Sequence, residues 1–323
     1  MLSDQARPIV RATLPVVGQH IGEIAKRFYE HLFAAHPELL DGLFNRGNQV
    51  GGAQQQALAG SVASFASALV NNPDHLPEHL LSRVAHKHAS LGIRPDQYQI
   101  VHDDLMWAIG DVLGDAVTPE VAAAWDEVYW LMADALINQE RGLYSARGVK
   151  ATTVWRDWAV ERKIQETDDV TTFVVKRIDD RLVKTSLPGQ YVTVRMRMAD
   201  GVLQPRQYSL TRADDGEHRQ FSVKWVRGNG QPAGEMSTFL HRSVNVSDVL
   251  TMSLPFGDVV LDDSGHPVVF VSAGIGISPM AGMLSHLVAA GSHLQIIMLH
   301  ADLNELSFPL RLQVLNDIRS LQQ

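Results

Sequence analysis

Apolar residues recur at helical spacing over roughly the first 144 residues and at alternating spacing afterwards, so the pattern alone predicts an all-helical part followed by a strand-rich part. In the first part Ile21, Ala25, Phe28 and Leu32 form one stripe with Tyr29 at its edge, and Pro37 opens a short helix ending near Phe44. Leu58, Val62, Phe65 and Leu69 form a second stripe, headed by Gln54. Leu81, Val84, His88 and Leu91 share a face of a helix over 80–91, which turns His88 inward and His86 away. A helix beginning at Pro95 carries Tyr98, Val101, Leu105, Ala108 and Val112. Thr118 and Pro119 read as cap and first-turn residue of the longest helix, whose stripe of Val121, Trp125, Val128, Met132 and Leu136 continues to Glu140.

Past Arg147 the segments 170–177, 191–196 and 221–225 alternate as strands between Gly, Pro and Asp turns, predicting an antiparallel barrel or sandwich with one short helix at 235–242. From about Gly265 the order is strand (268–271), glycine turn (274–279), helix (280–290), strand (294–299) and helix (310–321), about half of a doubly wound sheet. The domains expected are therefore 1–148, 149–264 and a partial one over 265–323.

Composition adds mainly exclusions. A chain of 323 residues, 45% hydrophobic and 20% charged, is an ordinary globular protein, and its net charge of −8 argues against non-specific nucleic-acid binding. It contains no cysteine, which removes disulfides, thiolate metal sites and cysteine nucleophiles together. Any metal must sit on histidine or carboxylate. Neither a signal peptide nor a membrane span is expected, so the sequence places the protein in the cytoplasm, working as a monomer.

Tyr29, Gln54, His88, Tyr98 and Glu140 all interrupt apolar faces of the helical part. A lone histidine on such a face is more often a core residue satisfied by a carbonyl than a ligand. Five polar interruptions together suggest a shared pocket, and an iron porphyrin held by one histidine suits a cysteine-free helical fold. The strings FYEHLF, LFNRGNQ, HKHASLGIRPDQY and INQE, with Gln54 ahead of Leu58, resemble the globin domain of the flavohemoglobins in order and spacing. That resemblance implies an all-α globin domain in which His88 ligates the iron of heme b, Phe44 packs on the porphyrin, and Tyr29, Gln54 and Leu58 line the distal pocket. It further implies that Tyr98 and Glu140 form a proximal relay and that Lys87 tunes the heme potential, although a solvated lysine fits that position equally well.

The same family accounts for the remainder. PGQY ending at Tyr191, RQYSLT with Arg206, Gln207, Tyr208 and Ser209, and GEMSTFL with Met236, Ser237 and Thr238 resemble the β-barrel FAD-binding domain of the ferredoxin-reductase superfamily. SAGIGISPM, containing Gly274, Ile275, Gly276, Ile277, Ser278 and Pro279, resembles its NAD(P) turn and is not the GxGxxG fingerprint. The superfamily's later segments are not present, so the resemblance also implies weakened nicotinamide binding and a poorly ordered stretch over 310–323. The activity implied is nitric oxide dioxygenase, with NO, O2 and NAD(P)H as small-molecule substrates and electrons passing through FAD to heme. A heme oxygen-binding or sensing protein is the alternative.

Overall fold

The computed structural model describes the chain except residues 45, 46, 48–51, 73, 182, 229, 231, 263, 322 and 323. It divides into two compact units, Met1–Thr152 and Thr153–Gln323.

The first unit is helical: α1 (Ala6–Ala35), α2 (Ala53–Asn71), α3 (Ser82–Leu91), α4 (Gln97–Leu113) and α5 (Pro119–Arg147), with short 3-10 turns at Pro37–Leu40, Glu78–Leu81 and Gly114–Ala116. The apolar stripes converge on one core, where Ile24, Phe28 and Leu32 meet Phe65, Leu69, Leu105, Ala108, Trp125, Val128 and Leu136. Each Val, Leu, Ile or Phe side chain among them contributes roughly 1.5–3 kcal/mol by leaving water. Thr118 caps α5 as expected, its hydroxyl accepting from the Val121 N–H at 3.4 Å.

Three details differ from the sequence reading. The helix opened by Pro37 stops at Leu40, well short of Phe44. At 30 residues α1 is longer than α5, which has 29. Leu81 lies in the 3-10 turn before α3, and it is Ala85 and Ala89 that bury completely, leaving Val84 and His88 half-buried on the flank.

In the second unit β1 (Trp155–Gln165), β2 (Val170–Arg177), β3 (Tyr191–Arg197), β4 (Leu203–Ser209), β5 (His218–Lys224) and β6 (Val249–Ser253) form an antiparallel sheet of order β4-β3-β6-β1-β2-β5. Its two edge strands touch through a single bridge, Leu210 to Phe221, so the expected barrel is a nearly closed sheet. Trp158, Phe173, Phe221, Leu250 and Met252 fill it, and α6 (Glu235–Arg242) adds Met236 and Leu240 to that core. Beyond it β7 (Val268–Ala273) runs parallel to β8 (Ile296–Ala301), joined by α7 (Ile277–Ala289) and followed by α8 (Arg311–Leu321).

Two expectations fail in this last part. The glycine turn is shorter than expected: only Gly274–Gly276 form a 3-10 turn, and Ile277, Ser278 and Pro279 already belong to α7. Proline is tolerated there because first-turn N–H groups have no helical acceptor. The stretch expected to be loose is a formed helix as far as Leu321, anchored by Leu310 and Val314 in the core with α7; residues 322 and 323 lie outside the described residues. Gly282 makes the seating of α7 possible, since a Cβ there would lie 2.2 Å from the Leu210 carbonyl oxygen.

Candidate functional site

α3 ends one turn after His88. Gly92 adopts φ 75°, and the Ile93 N–H donates to the His88 carbonyl at 3.1 Å, which fixes the backbone carrying the imidazole. His88 Nδ1 lies 2.8 Å from Glu140 Oε1 and 3.0 Å from the Tyr98 hydroxyl, while that hydroxyl donates to Glu140 at 2.5 Å. Glu140 is only 2% exposed, so its carboxylate depends on these two partners. Burial, followed by the neighbouring Glu140 charge, pushes the Tyr98 pKa far up and keeps it a neutral donor. Nε2 of His88 has no hydrogen-bond partner among the described residues. A fixed imidazole with Nδ1 engaged and Nε2 open is the donor set that a single-histidine porphyrin iron requires.

Tyr29, on α1, is buried and hydrogen-bonded to Gln54 on α2. Burial pushes its pKa up to about 12, so it too keeps its proton. Its ring meets Phe44 edge-on at 6.1 Å, and Phe44 meets Phe33 at 5.0 Å. Leu58 packs half-buried at the rim of the core. The LFNRGNQ stretch that contains Phe44 lies mostly outside the described residues, since only 43, 44 and 47 of it are described. Lys87 is exposed overall, and protein around its ammonium lowers its pKa by desolvation.

In the second unit β3 and β4 pair Tyr191 with Ser209 and Val194 with Arg206. Alternation along β4 therefore puts Gln207 and Ser209 on the face of Tyr191, and Arg206 and Tyr208 on the other. Tyr208 stacks on Phe221 at 5.4 Å, and Gln207 donates to Thr193 Oγ1 at 3.1 Å. At α6, Ser237 Oγ donates to the Gly234 carbonyl at 2.9 Å and accepts from the Val226 N–H at 3.2 Å, while Thr238 Oγ1 accepts from the Trp225 indole at 3.0 Å. The Ser237 hydroxyl is spent internally and Met236 is 1% exposed in the barrel core, so what this segment can offer a diphosphate is backbone N–H groups at a helix start and the O–H of Thr238.

Comparison with known proteins agrees with both halves. Residues 26–136 match the globin family model, and residues 157–260 match the oxidoreductase FAD-binding domain model. The chain is 42% identical over 305 residues to the flavohemoprotein of Bordetella parapertussis, covering 93% of this chain and 75% of that protein. It is 38% identical over 309 residues to the flavohemoprotein of Halalkalibacterium halodurans, covering 94% and 74%. The crystal structure of the flavohemoglobin of Malassezia yamatoensis with bound FAD and heme superposes with a TM-score of 0.91 at 38% identity, covering all of this chain and 83% of that one. The chain belongs to the flavohemoprotein family.

In this flavohemoprotein the glycine turn after β7 has room in front of it. A Cβ at Gly274 or Gly276 would meet nothing within 4 Å, so neither glycine is required by packing, although Gly274 holds φ 50°. Ser278 Oγ donates to the Ile275 carbonyl at 2.9 Å, and Ile277 is fully buried, so neither side chain points out of the turn.

Sequence reasoning missed three clusters. Ser272 Oγ and His300 Nδ1 lie 2.9 Å apart at the ends of β7 and β8, with Asp302 3.4 Å from His300 Nε2. On α4, buried Asp104 meets His31 of α1 at 2.5 Å, and His102 bridges to Asp126 of α5 at 2.7 Å. Each cluster brings together residues distant in sequence, and the one available signal was a histidine or aspartate within an element already assigned to the core. Among the described residues no helix is long and apolar enough to cross a membrane.

Proposed function

We propose that this flavohemoprotein is a nitric oxide dioxygenase, converting NO and O2 to nitrate with electrons from NAD(P)H, and that it uses heme b and FAD. The observation that carries the reading is the His88–Glu140–Tyr98 relay with Nε2 left open, in a chain whose second unit has the FAD-binding fold. When bound, heme supplies the redox iron at which oxygen and NO react, and FAD relays electrons from the nicotinamide.

His88 would hold the iron through Nε2. Glu140, accepting from Nδ1, makes the imidazole a stronger donor, and Tyr98 keeps the carboxylate aligned. Tyr29 and Gln54 would supply neutral donors toward developing negative charge, a contribution worth most where water is excluded, with Phe44 and Leu58 as the apolar neighbours. Arg206 offers charge for a diphosphate, the N-terminus of α6 offers N–H groups, and Tyr191 and Ser209 share one face for the flavin ring. Gly274–Gly276 would take the nicotinamide nucleotide. In this reading heme belongs to 1–148, flavin to 149–264 and nucleotide to 265–323, and the protein acts as a cytoplasmic monomer.

The test is purification followed by spectroscopy and turnover. A Soret band together with flavin absorbance, and NADH-dependent NO consumption in air with nitrate as product, are expected. Heme without NO consumption would leave an oxygen-binding protein.

A further inference from the structure

His102 lies on α4 one turn beyond Tyr98, and both of its ring nitrogens meet carboxylates: Nδ1 is 2.8 Å from Asp103 Oδ1 and Nε2 is 2.7 Å from Asp126 Oδ1 on α5. A ring that donates from both nitrogens is an imidazolium. Burial opposes that charge, yet the hydrogen bonds and charges of Asp103 and Asp126 together outweigh it and raise the His102 pKa. The imidazole stacks on Trp130 at 5.2 Å and meets Tyr129 at 5.1 Å. Tyr129 in turn donates its hydroxyl to the Tyr98 carbonyl at 2.6 Å. A chain of contacts therefore runs from the His102 ring through Tyr129 to the Tyr98 backbone, and the Tyr98 hydroxyl in turn reaches Glu140 and His88.

The polar groups facing His102 are Asp103 and Gln99 on α4, and Asp126 and Tyr129 on α5. α1 presents His31 and Arg27 to a different side of α4, at Asp104 and Asp111.

We propose that His102 is a positioning residue whose protonation ties α4 to α5 behind Tyr98 and so sets how firmly the Tyr98–Glu140 pair holds the proximal imidazole of His88. This rests on His88 being the heme ligand. With the proton present, Asp126 anchors the ring against Tyr129, and the Tyr98 backbone stays in place. With the proton lost, one of the two carboxylates loses its donor, Tyr129 loosens, and the Glu140 contact to His88 weakens.

The experiment is resonance Raman spectroscopy of the ferrous, heme-loaded full chain, following the iron–histidine stretch from about pH 5.5 to about pH 9 across the imidazole range. In the wild type the frequency should fall as pH rises through the His102 transition. His102→Gln should abolish that transition, and Asp126→Asn should move its midpoint to lower pH. An identical transition in His102→Gln, or none in the wild type, overturns the proposal. If His102→Gln does not fold, an unchanged midpoint in Asp126→Asn overturns it equally. A chain that takes up no heme sinks the ligand assignment and this proposal with it, whereas heme with a pH-invariant stretch sinks this proposal alone.

Discussion

His88 and His86 lie two positions apart on one short helix, and His88 has its Nδ1 held by the buried carboxylate of Glu140. His88→Ala should therefore abolish heme retention and His86→Ala leave it nearly intact, as read by heme content per purified chain; equal loss in both would remove the ligand assignment. Tyr29 keeps its proton because burial lifts its pKa to about 12. Losing a hydrogen bond to a charged acceptor costs about 1.5–3 kcal/mol, so Tyr29→Phe should speed oxygen release by roughly tenfold to a hundredfold in stopped flow. Arg206→Ala combined with Ser209→Ala should weaken FAD by about the same factor and spare the Soret band. Tyr29 and His88 were legible because each interrupts or edges an apolar stripe, and Arg206 and Ser209 because they lie in the RQYSLT string. Asp104 and His102 were not: they flank the apolar stripe of α4 on opposite sides, and their partners, His31 and Asp126, come close only in the folded chain.

The helices of the first unit were legible as elements because each buries one stripe, whereas three of the eight described strands, β1, β4 and β6, were not. β1 escaped because Arg156 occupies an inward position, 7% exposed, and because a bulge between Val160 and Arg162 breaks its alternation. β4 contains Pro205, which its place at the sheet edge permits, and a buried Gln204. Two substitutions probe individual elements. A Cβ at Gly234 would meet Ser237 Oγ at 2.6 Å and Val226 Cβ at 2.8 Å. Gly234→Ala should accordingly destabilise the α6 start by about 1–3 kcal/mol and lower flavin content, measured by denaturant melts and FAD release. The His102 clamp between α4 and α5 gives a pH dependence with a definite sign. Because its folded pKa is raised, its stabilisation is complete below the unfolded value of about 6.5 and is lost as pH rises through the folded one. The thermal midpoint of the wild type should fall on going from about pH 6 to about pH 8.5, and His102→Gln should flatten that change.

At the scale of the molecule, the switch in hydrophobic period from helical to alternating announces two kinds of unit, and the structure divides the chain between Thr152 and Thr153. The second unit continues from the flavin-type sheet into a parallel pair of strands with the glycine turn at their ends, so one polypeptide carries the residues proposed for heme, flavin and nucleotide. The claim that unites them is dioxygenation at the heme held by His88. It is tested most directly by reducing the heme-loaded protein with dithionite, removing the excess, admitting oxygen, and mixing with NO in a reaction that needs no nicotinamide. NO should disappear and nitrate should form in an amount at least equal to the heme, with any reduced flavin supplying further turnovers. Persistence of NO without nitrate would contradict the claim.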